Sequence, residues 1–111
     1  THGARQLDSA PASIAVLPLI RQALGPDYPL LFDSGVRNGE DIVKALVCGA
    51  NMVMLGRPVL YALAAGGARG VDALFSGLAY DISAAMAQLG ARNISNLTPA
   101  MIVKKNHDLP D

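Results

Sequence analysis

Three short stretches of this 111-residue sequence hold side chains able to do chemistry, each setting a small residue close to a cation. The first, "THGARQLD", has only Gly3 and Ala4 between His2 and Arg5. A neutral imidazole can take a proton near neutral pH, and a guanidinium can grip a carboxylate through two parallel hydrogen bonds. On spacing alone this pair is equally a solvated surface turn. The second, "DSGVRNGED", supplies Asp33, Gly35 and Arg37. Gly35 lets backbone N–H groups approach an anion with no Cβ in the way, and Arg37 offers a charge-assisted fork for phosphate. By itself it also reads as a plain turn with a solvated arginine. The third, "LGRP", repeats the device with Gly56 and Arg57. The main alternative for Arg57 is a structural ion pair.

The elements that must position these residues follow from periodicity and capping. "SAPASIAVLPLIRQALG" predicts a loop and then a helix, with Ser13 as N-cap and Ile14, Leu17, Ile20 and Leu24 as its apolar stripe. Pro18 predicts a bend or a later start, and Gly25-Pro26 ends the helix. "YPLLFDSG" reads as a buried strand ending near Asp33. "NGEDIVKALVCG" reads as a helix capped by Asn38, with Glu40 and Asp41 at the positive end of its dipole and Gly49 just past its end. "NMVMLGR" is a second apolar strand. Strand, helix, strand makes a βαβ unit, and continuously apolar strands predict a parallel sheet covered on both faces. Both Gly/Arg devices then sit at C-terminal strand ends, where α/β sheets and barrels build their sites. Neighbouring strands lie about 4.8 Å apart, so the two devices, each with a helix N-terminus behind it, can converge on one phosphate.

Further along, "PVLYALAAGG" predicts a short helix with Pro58 in its first turn. "VDALFSGLAYDISAAMAQLG" predicts the longest one, with Val71, Leu74, Leu78, Ile82, Met86 and Leu89 on a single apolar face. "GGARG" precedes a helix but follows no strand, so it reads as an interhelix connection rather than a phosphate loop. Thr98-Pro99 opens a final short helix. Residues 1–103 are expected to form one structural unit and 104–111 a polar tail, with His107 expected to face solvent. Two sequons, at Asn93 and Asn96, would matter only in a secretory compartment. Two or three parallel strands cannot close a sheet. The expected fold is therefore α/β, the last part of a (β/α) barrel or of a doubly wound sheet.

Charged residues make up only 16% of the chain, against roughly 25% in typical soluble proteins, which predicts that other protein covers some of its surface. The formal net charge is +0 and no basic run exceeds Lys104-Lys105, which argues against a nucleic-acid partner. The single cysteine, Cys48, excludes a disulfide framework and a thiolate zinc site, and its apolar surroundings predict a buried, inert thiol. No metal site is expected. No apolar run has the roughly 18 residues of a membrane span, and the first residues do not form a signal peptide.

Read together, "HGARQLD", "DSGVRNGEDIVKAL" and "GRPVLYALAAGGARGV", in this order and separation, resemble the C-terminal part of the FMN-dependent α-hydroxy acid oxidase/dehydrogenase family. That family includes glycolate oxidase, mandelate dehydrogenase and the flavin domain of flavocytochrome b2. The likeness runs from His2 to about Val103, and Ala4 is one of two residues accepted in the His-Gly-[Ala/Gly]-Arg-Gln signature. It implies the C-terminal part of a (β/α)8 TIM barrel, beginning just after strand six and carrying strands seven and eight, their helices and a C-terminal helix. It implies FMN as cofactor and oxidation of an (S)-2-hydroxy acid, lactate-, glycolate- or mandelate-like, to a 2-oxo acid. His2 would be the base and Arg5 the clamp on the substrate carboxylate. Asp33, Gly35 and Arg37 would hold the ribityl and phosphate parts of FMN, with Gly56 and Arg57 completing the phosphate site. The family's residues that flank the flavin ring are absent, so a companion polypeptide with the N-terminal part of the enzyme is expected. A homo-oligomer, a tetramer by resemblance, is expected too, cytoplasmic or peripherally membrane-associated and not secreted. Two alternatives stay open: another FMN- or phosphate-binding barrel enzyme, and a non-catalytic interaction fragment.

Overall fold

A strand that ends in Asp-Ser-Gly and a helix that begins with a capping asparagine set the centre of the fold. A computed structural model describes residues 2–103; the tail 104–111, with His107, lies outside the described residues. Strand β1 (Leu31–Phe32) runs parallel to β2 (Met52–Val53), pairing Leu31 with Met52 and Phe32 with Val53. Between them, α2 (Gly39–Val47) makes the crossover, and α1 (Ser13–Leu24) precedes the pair. This is the expected βαβ unit with shorter strands. The ladder extends by backbone bonds from Asn51 N–H to Leu30 O (2.8 Å) and from Met54 N–H to Phe32 O (2.8 Å).

Helix α2 forms where its caps say it should. Asn38 accepts a hydrogen bond from Asp41 N–H at 2.9 Å, and the chain leaves the helix through Cys48 and Gly49. Val43, Ala45 and Val47 are buried from it. Helix α1 departs from expectation at its start: Ala12 occupies the N-cap with no side-chain cap, and Ser13 is the first helical residue. Pro18 lies inside without delaying that start. Of the predicted stripe only Leu17 is buried.

Helix α3 (Arg57–Gln88) contains both predicted helices, and Gly67, with non-helical φ 59° and ψ −145°, breaks it within "GGARG". That stretch is a connection, as its sequence indicates. Leu78 is buried on the second arm, with Val71, Leu74, Ile82, Met86 and Leu89 half-buried on the same face. The arm packs on α2 at very short range. A Cβ on Gly39 would collide with Asp81 Cβ and lie 2.6 Å from Ile82 N, so only glycine permits this approach. Two 3₁₀ turns, Ile94–Asn96 and Pro99–Met101, close the described chain.

The core gathers Leu17, Phe32, Val36, Ala45 and Ala50, with Ile42, Val53 and Leu55 packed against it. Cys48 also packs there but is half-buried rather than buried. The sheet differs from the expectation of two covered faces. Phe32 is buried, whereas Leu31 and Met52, which share the other face, are 57% and 58% exposed. Within the described residues one face of the β-pair has no cover.

At the end of the strands opposite the Gly/Arg turns, Arg21 ties three segments together. Its Nε and Nη2 donate to Gly49 O at 2.9 and 2.7 Å, and its Nη1 donates to Gly25 O at 2.8 Å and Tyr28 O at 2.6 Å. Nη2 also reaches Asn51 Oδ1 at 2.5 Å, and the same oxygen accepts Leu30 N–H at 2.8 Å. The knot fixes the C-terminal end of α1 against both strand entries.

Candidate active site

Each chemically capable segment lies at a turn, and the turns meet. "HGAR" closes on itself through Arg5 N–H to His2 O at 2.8 Å, with His2 and Ala4 both at φ 60°. "DSG" reverses the chain beyond β1, with Ser34 at φ 86° and Gly35 at φ 85°. "LGR" ends β2 and opens α3, with Gly56 at its N-cap. These segments line one open cleft of about 810 Å³.

All seven residues singled out from the sequence, His2, Arg5, Asp33, Gly35, Arg37, Gly56 and Arg57, line this cleft. Their charges make its electrostatic character plain. Three guanidinium groups stand against the single carboxylate of Asp33, which suits a ligand carrying more than one negative group. The ion pairs of α2, Lys44 with Glu40 (3.7 Å) and Asp41 (4.0 Å), lie outside the cleft lining. Arg37 and Arg57 are exposed, and Arg37 Nη1 donates to the adjacent Val36 O at 3.2 Å. A Cβ built on Gly35 or Gly56 meets no atom within 4 Å, so there is open space beside both backbones for a ligand to approach.

The two helix N-termini are not equivalent, and this corrects the sequence-based picture. Around the start of α2 three amides are already bonded: Arg37 N–H to Asp41 Oδ2 (3.0 Å), Gly39 N–H to Asp81 Oδ2 (3.4 Å) and Asp41 N–H to Asn38 Oδ1 (2.9 Å). That helix end is neutralised by carboxylates and is a poor place for a further anion. At α3 there is no side-chain cap and no acidic residue in the first turn. Pro58 has no N–H and Val59 N–H is bonded to Gly56 O at 3.0 Å, so the positive end of α3 offers the Arg57 amide, with the Arg57 guanidinium beside it.

The part that Ser34 plays in the cleft is not visible in the sequence. Ser34 Oγ accepts a hydrogen bond from Gly3 N–H at 2.7 Å, tying the "HGAR" turn to the strand-end turn. No local pattern marks that bond, because its partners are 31 residues apart.

A sequence model of the FMN-dependent dehydrogenase family matches residues 1–104. The chain belongs to the FMN-dependent dehydrogenase family. Among its relatives, an L-lactate oxidase of Alicycliphilus denitrificans is 50% identical over 97 residues, 87% of this chain and 27% of that protein. A 2-hydroxyacid oxidase of Dictyostelium discoideum is 42% identical over 105 residues, 95% of this chain and 27% of that protein. The solved structure of a monotopic membrane (S)-mandelate dehydrogenase superposes with a TM-score of 0.85 at 45% identity, covering 94% of this chain and 27% of that one. The chain thus spans about a quarter of the length of its FMN-dependent dehydrogenase relatives. These neighbours share its α/β fold.

Proposed function

We propose that this chain is the C-terminal segment of an FMN-dependent oxidoreductase that converts an (S)-2-hydroxy acid to the 2-oxo acid. In this reading it is the part of a (β/α)8 barrel after strand six, with β1 and β2 as strands seven and eight. The observation that carries it is the convergence of His2, Arg5 and both strand-end Gly/Arg turns on one cationic cleft. The relatives, an L-lactate oxidase and a 2-hydroxyacid oxidase, suggest the substrate class.

The residues present fit FMN. Arg37, Arg57, the open backbones at Gly35 and Gly56 and the uncapped start of α3 suit its phosphate, and Asp33 suits the ribityl hydroxyls. When bound, FMN supplies the two-electron acceptor. Arg5 grips the substrate carboxylate through its guanidinium fork and turns the α-carbon into a fixed orientation. His2 takes the proton released from the substrate's hydroxyl or α-carbon as the 2-oxo acid forms.

The remaining barrel segments, as a companion portion of the same enzyme, would cover the open sheet face at Leu31 and Met52 and supply the surroundings of the flavin ring. Homo-oligomeric assembly and a cytoplasmic or peripheral membrane location belong to the same reading. Among the described residues no helix is long and apolar enough to cross a membrane.

An absorbance scan of the assembled protein tests the proposal. Flavin bands that bleach anaerobically on adding a lactate-, glycolate- or mandelate-type acid are expected. Absence of flavin would sink it, and flavin that no 2-hydroxy acid reduces would point to a different FMN-binding barrel enzyme.

A further inference from the structure

One side chain joins the turn bearing His2 and Arg5 to the strand-end turn that faces the cationic cleft. Ser34 Oγ accepts from Gly3 N–H at 2.7 Å and donates to Asp33 Oδ1 at 3.4 Å. The fit there is close: a Cβ on Gly3 would lie 3.1 Å from Ser34 Cβ and 3.2 Å from Ser13 Cβ. Ser34 holds φ at 86°, a left-handed region that glycine occupies freely and serine does not. The turn it tethers is also unusual, since His2 and Ala4, on either side of Gly3, both sit at φ 60°. A glycine at position 34 would suit the backbone better. The hydroxyl is what serine adds.

We propose that Ser34 is a positioning residue for the reaction: its Oγ sets the His2–Arg5 turn against the phosphate-holding turn. The inference rests on the function proposed above. Through Gly3, the hydroxyl fixes where the imidazole and the guanidinium stand relative to a cofactor held at Gly35, Arg37 and Arg57. Without it, the Gly3 N–H loses its partner and the turn loses its tie to β1. Errors of about 1 Å in placing reacting groups can cost up to roughly a hundredfold in rate.

The test compares Ser34→Gly and Ser34→Ala with the unsubstituted flavin-loaded holoenzyme. Ser34→Gly is the decisive variant, because it removes the hydroxyl while relieving the positive-φ backbone. Retained FMN, an equal or higher melting temperature and a fall of about tenfold in kcat/KM for the 2-hydroxy acid, mostly in kcat, are expected. Ser34→Ala should lose activity similarly and also melt lower. A merely structural serine would give a more stable Ser34→Gly enzyme with unaltered kinetics, and that result overturns the proposal. Failure of the unsubstituted holoenzyme to hold flavin or turn over overturns the underlying function as well, so the two failures are told apart.

Discussion

His2 and Arg5 share the cleft because a tight turn, closed by Arg5 N–H to His2 O, carries both of them. Their proposed roles differ, and substitution separates them. In the flavin-loaded enzyme, His2→Ala is expected to lower kcat by roughly two to four orders of magnitude, the usual contribution of a general base, with FMN still bound. Turnover measured beside the flavin spectrum checks this, and loss of FMN instead would contradict the role. Arg5→Lys keeps the charge but not the planar fork. A rise in KM and a fall of about tenfold or more in kcat/KM are expected, and steady-state kinetics with unchanged values would refute the clamp. The seven cleft residues singled out from the sequence were legible because each belongs to a short motif. Ser34 was not, since its bond to Gly3 joins residues 31 positions apart.

Among the elements, α2 was the most legible, its cap, acidic first turn and exit at Gly49 all lying within a dozen residues of sequence. What its N-terminus does was not legible. Asp81 comes from α3, 42 positions along the chain, and meets Gly39 only because the helices touch where glycine leaves room. That contact turns α2 into a closed, structural helix end and leaves α3 as the open one. Helix α1 is held largely through Arg21, which the apolar stripe did not foretell. Arg21→Met should keep much of the stem's packing while leaving the Gly49, Gly25 and Tyr28 carbonyls without their charged donor. A loss of about 2 kcal/mol in unfolding free energy is expected for the assembled protein, read by urea denaturation, with FMN still bound to the folded fraction.

At the scale of the whole molecule, a βαβ unit with two long helix arms leaves much apolar surface uncovered. Leu31 and Met52 stand on the bare face of the β-pair, and Met54 and Leu60 line the nearby cleft wall. The low charge content predicts covered surface, and among the described residues the exposed face of the β-pair is where the proposed barrel would cover it. In the proposed barrel this face belongs to the interior. Met52→Asp should therefore block assembly with the remaining barrel segments, because a carboxylate would be buried there without a partner. Size-exclusion chromatography and flavin content would report it as loss of the FMN-containing species. A stable, flavin-bearing Met52→Asp enzyme would contradict the placement of that face.

By itself the sequence determined what acts over a few neighbours. It specified the capped start of α2, the apolar face of α3 from Val71 to Leu89, the break at "GGARG" and the Gly/Arg turns at two strand ends. Periodicity, capping and turn chemistry are local, so a linear reading suffices for them. The tertiary structure alone decided which helix end stays open to an anion, which face of the sheet lacks cover and which hydroxyl holds the "HGAR" turn. Each of these depends on residues brought together from distant positions, and only the folded path of the chain selects those meetings.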